Sequence, residues 1–288
     1  MYTNFLPHKT ILKKYVQYVL DEDLTYNDLT TELTVEEDRE VEAIINFREA
    51  GIVCGLPFAR EVYNILDPGL NWEELCQEGS EITSNTDAVR IFGSAKAILT
   101  GERTALNLIQ KASGIATITN KYVKKLTGST TKLTDTRKTT PGARILEKYS
   151  IKVGGAIPHR YNLSDSVLIK DNHIFLAGSI SSALRNVKKQ LSHTAKVEVE
   201  TENEGQVKEA LEGGADIIML DNMTPAEVKR MVDLIAGKAI TEASGNVSYE
   251  NLEEFARTGV DYISTSAITI KAPVLDVGMD MRPSVIYL

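Results

Sequence analysis

Cysteine, histidine and tryptophan are scarce in this 288-residue chain, which holds two, four and one of them respectively. The two thiols, Cys54 and Cys76, form no CxxC pair and stand at no zinc-ligand spacing with a histidine. That excludes a zinc module or a dithiol redox motif and leaves two reduced thiols, as expected inside a cell. Long apolar runs are also missing: none approaches the ~18 residues needed to cross a bilayer. The opening MYTNFLPHKTILKK has no apolar signal core, so a cytoplasmic location with no membrane partner is expected. Net positive charge is lacking too. A formal charge of −8 argues against a nucleic-acid partner, because nonspecific binding needs a basic face to displace counterions.

What is present is a 42% hydrophobic content, enough over this length for two domains that need no covalent staples. Charge is unevenly spread. From Lys132 to His173 eight Lys/Arg face four acids, so this window carries +4 and the remainder −12. A basic island in an acidic chain suits a focused site for a small anion.

The front of the chain reads as mixed α+β. HKTILKKYVQYVL has helical periodicity, and the acidic DEDLTYNDLT after it reads as a loop. VEAIINFREAGIV alternates as a strand and hairpin, GLPFAREVYNIL returns to a helical period, and AVRIFGSAKAIL looks like a strand pair. Thr100, Gly101 and Glu102 form a plausible cap for a long amphipathic helix running through ERTALNLIQKASGIATITNKYVKKL.

After about residue 128 the pattern changes. Six short β-rich runs (TKLTDT, DSVLIK, KVEVE, DIIMLD, AITEAS and DYISTS) alternate with helical stretches, the signature of parallel βαβ units. At or near the end of each run falls a chemically capable residue: Arg137 with Lys138, then Lys170, Glu198, Asp221, Ser244 and Thr265. Barrel enzymes place their reactive groups at the C-terminal strand ends, where all strands share one mouth. The expected fold is therefore α/β: an incomplete TIM-like barrel over 113–274, with an N-terminal α+β open-sandwich domain over 1–112 that the segment 275–288 rejoins.

Several motifs carry chemistry. Thr136-Arg137-Lys138-Thr139-Thr140-Pro141-Gly142 joins a planar guanidinium and a mobile ammonium to hydroxyls, which suits an anion. Gly154-Gly155 leads to His159 and Arg160; a histidine there is as often a hydrogen-bonded structural group as a ligand contact, and the adjacent Arg160 favours contact. Lys170 closes the apolar SVLI, with Asp171 placed to orient it. Glu198 and Glu200 share one strand face, and with Asp221 they offer hard oxygen ligands for Mg²⁺ on a polyphosphate. For Glu200 an ion pair with Lys138 or Lys170 is an equal alternative. Ser244-Gly245-Asn246 before a helix makes a phosphate cradle.

TDTRKTTPGAR, GGAIPHRYNLSDSVLIKDNH, VEVE, MLDN and EASGN, in this order and spacing, resemble the quinolinate phosphoribosyltransferase family. NDLTT, AGIVCGLPFA and LTGERTALNLIQKASGIAT extend the resemblance to the front of the chain. The resemblance implies conversion of quinolinate and phosphoribosyl pyrophosphate to nicotinate mononucleotide, pyrophosphate and CO₂ with Mg²⁺, in NAD biosynthesis. It implies that Thr136, Arg137, Lys138, His159, Arg160 and Lys170 surround the substrate anions, and that Lys138, Lys170, Glu198 and Asp221 serve catalysis. Glu198 and Asp221 would hold metal or ribose, while Ser244, Gly245, Asn246 and Thr265 would line the phosphate. Arg103 would reach a neighbouring subunit's site in a homodimer. The chain departs from the family at Thr265-Ser266, where a Val-Gly pair is usual, and at Pro158, where Asn is usual; PSVIYL lies beyond the pattern. A molybdate-transport relative, a non-catalytic metabolite sensor and a Schiff-base aldolase using Lys170 are the competing readings.

Overall fold

A computed structural model describes residues 6–282; PSVIYL lies outside them. The front of the chain runs α1 (Lys9–Asp23), α2 (Leu29–Thr34), β1 (Glu40–Phe47), β2 (Gly51–Ile52), α3 (Leu56–Leu66), β3 (Asn71–Glu74), β4 (Glu81–Ile82), β5 (Thr86–Ser94) and α4 (Ala95–Lys125). Then follow β6 (Lys132–Thr134), α5 (Arg144–Val153), β7 (Val167–Ile169), α6 (Asp171–Ala177), α7 (Ile180–Lys188), β8 (Val197–Thr201), α8 (Glu204–Glu212), β9 (Ile217–Asp221), α9 (Pro225–Ile235), β10 (Ile240–Ser244), α10 (Leu252–Ala256), β11 (Tyr262–Ser264) and β12 (Val277–Arg282).

Two compact units emerge. Among the described residues the first holds 6–120, 140–155 and 272–282, the second 121–139 and 156–271. This division differs from the boundaries expected from sequence in one notable place: residues 140–155, with α5, belong to the first unit. The reason is the apolar face of α5. Leu146, Tyr149 and Val153 are buried in the same cluster as Phe58, Val62 and Ile109, and the Tyr149 ring lies 5.3 Å from that of Phe58.

In the first unit an antiparallel sheet has the order β12-β1-β5-β3. The alternation in β1 buries Ala43, Ile45 and Phe47 in the cluster that also takes Val16 and Leu20 of α1. The expected hairpin within 41–53 does not form, because β1 pairs with β5 and β12 while β2 pairs with β4. The expected strand pair in AVRIFGSAKAIL is half right. β5 ends at Ser94 and α4 begins at once, well before Thr100, because its first turn is capped from afar. Ser94 Oγ accepts from Ala97 N–H (3.1 Å) and Asp38 accepts from Lys96 N–H (3.2 Å). The loop expected over residues 21–30 contains instead the start of α2, capped by Asp28, whose carboxylate accepts from Thr31 N–H at 3.0 Å.

The second unit is built on a six-stranded parallel sheet, β6-β11-β10-β9-β8-β7. The first strand pairs with the last, Thr134 opposite Ser264, which is how a sheet curls toward a barrel. Among the described residues β7 pairs only with β8, so the barrel is incomplete. Cross-strand register sets one face of this sheet: Leu168 and Glu198, Glu200 and Met219, Glu242 and Tyr262 lie side by side. The alternate residues are apolar: Val197, Val199, Ile218, Leu220, Ala243 and Ile263 are all buried.

Candidate anion-binding site

Within the second unit a cavity of about 490 Å³ opens at the C-terminal ends of these strands. Arg137 and Lys138 follow β6, Arg160 follows the Ile157 bridge beside β6, and Lys170 ends β7; all four side chains line it. Glu200 and Asp221, from the ends of β8 and β9, line it as well, as do Ser244, Gly245 and Asn246 after β10. Thr136 and His159 complete the part expected from sequence.

The cations are held rather than merely exposed. Arg160 Nη1 donates to the Ser166 carbonyl (2.8 Å), and Lys170 Nζ donates to Glu200 (2.5 Å). Burial, then the charge of Arg137, holds the Arg160 guanidinium below its ordinary pKa. The Nε atoms of Arg137 and Arg160 are buried without a hydrogen-bond partner. Two guanidiniums crowded together with unused donors form a site that is electrostatically incomplete until an anion enters.

On the acidic side, Asp221 sits above its ordinary pKa because of burial first and the Glu200 charge second, with Lys170 opposing. Glu200 and Asp221 therefore share one field. Glu198 does not. It lies opposite Ile217, four residues before Asp221 on β9, or roughly 13 Å along the strand. The expected pairing of Glu198 with Asp221 as metal ligands is corrected here. KVEVE is not the end of a strand: β8 continues to Thr201, so Glu200 reaches the mouth while Glu198, 3% exposed, stays beneath it. Glu200 forms an ion pair with Lys170, one of the two roles open to it from sequence.

Beneath the mouth Glu198 and Glu242 flank His159, whose Nε2 lies 3.3 Å from one carboxylate and 3.7 Å from the other. Burial, reinforced by the Glu198 charge, pushes Glu242 up to about 7. These three residues have the composition of a metal site, yet the second ring nitrogen argues otherwise. Nδ1 accepts from the Arg160 N–H at 2.8 Å, which assigns the proton to Nε2. A metal-bound imidazole would carry its proton on Nδ1 and donate it outward. The Asp135 carboxylate accepts from His159 N–H at 2.8 Å. Both ring nitrogens and the backbone of His159 are thus engaged within the protein, while the residue also lines the cavity.

The turn expected from sequence to cradle phosphate depends on left-handed backbone. Asn222, Gly245 and Asn246 have φ of 56°, 85° and 54°. A Cβ on Gly245 would lie 2.3 Å from Asn222 Oδ1 and 2.8 Å from its backbone nitrogen, so only glycine fits. Asn222 N–H donates to the Ser244 carbonyl (2.9 Å) and Asn246 Nδ2 donates to Asn222 Oδ1 (3.2 Å), tying the β9 and β10 loops together. Thr265 is not among the lining residues: its hydroxyl donates to the Val247 carbonyl at 3.1 Å. Arg103 is an exposed residue of α4 in the first unit and is likewise not in the lining. Sequence reasoning missed Leu168, Met219, Asn222, Glu242 and Ser264, which line the cavity; strand parity with Lys170, Asp221 and Ser244 would have found Leu168, Met219 and Glu242, whereas Ser264 has the opposite parity to Thr265.

A curled parallel sheet whose strand ends gather four cations, two carboxylates and a glycine turn around one cavity defines an α/β-barrel protein built to bind a polyanion. The comparisons give the particular family. Residues 28–113 match the quinolinate phosphoribosyl transferase N-terminal domain and residues 115–280 its C-terminal domain, and the chain belongs to that family. It is 41% identical over 280 residues to a Synechocystis protein named "Probable nicotinate-nucleotide pyrophosphorylase (carboxylating)", covering 96% of this chain and 94% of the relative. The solved nicotinate-nucleotide pyrophosphorylase of Francisella tularensis is 39% identical with a TM-score of 0.90, covering 96% of this chain and 98% of that one. That of Ehrlichia chaffeensis is 40% identical with a TM-score of 0.89, covering 93% and 98%.

Proposed function

We propose that this protein transfers the phosphoribosyl group of phosphoribosyl pyrophosphate to quinolinate, giving nicotinate mononucleotide, pyrophosphate and CO₂ in NAD biosynthesis. The observation that carries the reading is the convergence of Arg137, Lys138, Arg160 and Lys170 on one cavity. A dicarboxylate neutralises the crowded guanidiniums and uses their idle donors. Opposite them, Ser244, Gly245 and Asn246 suit the 5′-phosphate.

In the reaction the bond from the anomeric carbon to pyrophosphate breaks and its electron pair leaves with pyrophosphate. The pyridine nitrogen donates its lone pair to that carbon. The positive charge that develops on the sugar is stabilised by the carboxylates of Glu200 and Asp221 at the cavity. The quaternised nitrogen then withdraws electrons from the adjacent carbon, so its carboxylate departs as CO₂. The pair left behind takes a proton from solvent. The chain's own contribution is to position both substrates and match their charge.

Magnesium is part of this proposal. Two carboxylates whose charges couple, at a cavity wide enough to leave an ion several waters, suit a hard divalent cation. Glu200 and Asp221 are the residues that would hold it, and it would neutralise charge on the departing diphosphate. The homodimer, with Arg103 completing a partner's site, and a cytoplasmic location belong to the proposal on the family resemblance. Among the described residues no helix is long and apolar enough to cross a membrane.

The test is release of labelled CO₂ from carboxyl-labelled quinolinate. Release that requires both phosphoribosyl pyrophosphate and Mg²⁺ is expected; nicotinate, which lacks the carboxylate that is lost and whose turnover is followed by pyrophosphate release, should be a very poor substrate because it leaves cations of the site unpaired. Release independent of the sugar phosphate, or equal turnover of nicotinate, would overturn the assignment.

A further inference from the structure

The turn after β11, residues 265–271, carries two buried threonines, Thr265 at 7% and Thr269 at 0% exposure. Neither lines the cavity, yet each bonds a segment that does. Thr265 Oγ1 donates to the Val247 carbonyl (3.1 Å) at the end of the Ser244–Asn246 cradle. The same oxygen accepts from Ala267 N–H (3.2 Å), and Thr265 N–H donates to the Thr134 carbonyl at the end of β6 (3.1 Å). One turn further on, the single proton of Thr269 Oγ1 is shared between the Lys138 carbonyl (3.0 Å) and the Ser266 carbonyl (3.1 Å). The Thr134 carbonyl and the Lys138 carbonyl bracket the Arg137-Lys138 loop. One short segment is therefore bonded to the phosphate cradle on one side and to both ends of the cation loop on the other.

We infer that Thr265 and Thr269 are positioning residues whose hydroxyls brace the phosphate cradle and the Lys138 loop at the separation that one phosphoribosyl diphosphate requires. The inference rests on the function proposed above. The physical need is clear from the bonds. Ser244–Val247 is a loop with two left-handed residues, and a flexible loop cannot offer its N–H groups to a phosphate without losing entropy on binding. A buried hydroxyl fixed to the strand bears that cost at folding instead. A valine at either place would fill the same volume but remove the tie, and at position 265 it would also leave the Val247 carbonyl, in a buried bond, without its donor.

The experiment is isothermal titration of ribose 5-phosphate, alongside steady-state kinetics, on Thr265→Val, Thr265→Ser and Thr269→Val. Thr265→Val is expected to weaken ribose 5-phosphate about tenfold, to raise KM for phosphoribosyl pyrophosphate and to leave KM for quinolinate unchanged; Thr265→Ser restores both. Thr269→Val is expected to lower kcat/KM while ribose 5-phosphate binds as in wild type. A folded Thr265→Val with wild-type affinity, or equal loss toward both substrates, would sink the brace. If Thr265→Val does not fold, the Thr269→Val split and retention of affinity in Thr265→Ser decide, and failure of either refutes it. The titration needs no turnover, so an inactive wild type that still binds ribose 5-phosphate removes the proposed reaction without removing the brace. A wild type that does not bind ribose 5-phosphate removes both cradle and brace.

Discussion

Removing the Arg137 side chain separates what the site does for its ligand from what it does for the fold. Arg137 contributes no ion pair among the described residues and its buried Nε has no partner. Its charge is one of the influences that hold Arg160 below the ordinary guanidinium value. In the free protein, Arg137→Ala relieves a like-charge contact, so the melting temperature is expected to stay level or rise. With quinolinate bound, the same change deletes at least one charge-assisted hydrogen bond to a carboxylate, worth about 1.5–3 kcal/mol. At ~1.4 kcal/mol per tenfold, kcat/KM for quinolinate should fall roughly 10- to 150-fold. Discrimination against nicotinate should narrow, because fewer cations are left unpaired by the missing carboxylate. Labelled-CO₂ initial rates over a quinolinate series, with thermal melts on the same preparations, measure both. Wild-type kcat/KM would refute the reasoning, and so would a melting temperature that dropped in proportion to activity.

Two further outcomes follow from the acids. Glu200→Ala should raise the Mg²⁺ concentration for half-maximal rate by about tenfold or more, whereas Glu198→Gln, which lies about four residues below Asp221 on the neighbouring strand, should leave it unchanged; a Mg²⁺ titration of initial rates giving the reverse order would restore the pairing expected from sequence. Glu78 behaves differently, in the first unit. Its carboxylate accepts from Gly55 and Leu56 N–H at the start of α3 (2.7 and 3.1 Å), and burial pushes its pKa from 4.5 up to about 7. The folded state then binds more protons than the unfolded state across that window, so stability is full below pH 4.5 and falls as pH rises through about 7. Glu242 has the same sign and adds to it. Chemical-denaturation midpoints should decline from pH 5 to pH 8, and Glu78→Gln should flatten the decline; an unchanged slope in that variant would remove Glu78 as its source.

Strand and helix alternation after residue 128, the clustering of charge between Lys132 and His173, and the motif order are properties of local sequence, and from them the α/β architecture and the four cations of the cavity were legible. Period-two alternation identifies a strand but not its ends. That is why sequence favours Glu198 over Glu200, identical in type and face, and only the register with β9 shows that Glu200 is the one that reaches the mouth. The start of α4 was hidden for a similar reason, since its cap includes Asp38, remote in sequence. Thr265 looked like a ligand contact because its chemistry allows it. Only the fold shows it outside the cavity lining, its hydroxyl committed to the Val247 carbonyl. Residue type and spacing determine which groups can meet an anion; long-range strand pairing decides which of them reach the cavity, because register sets how far along its strand each side chain stands.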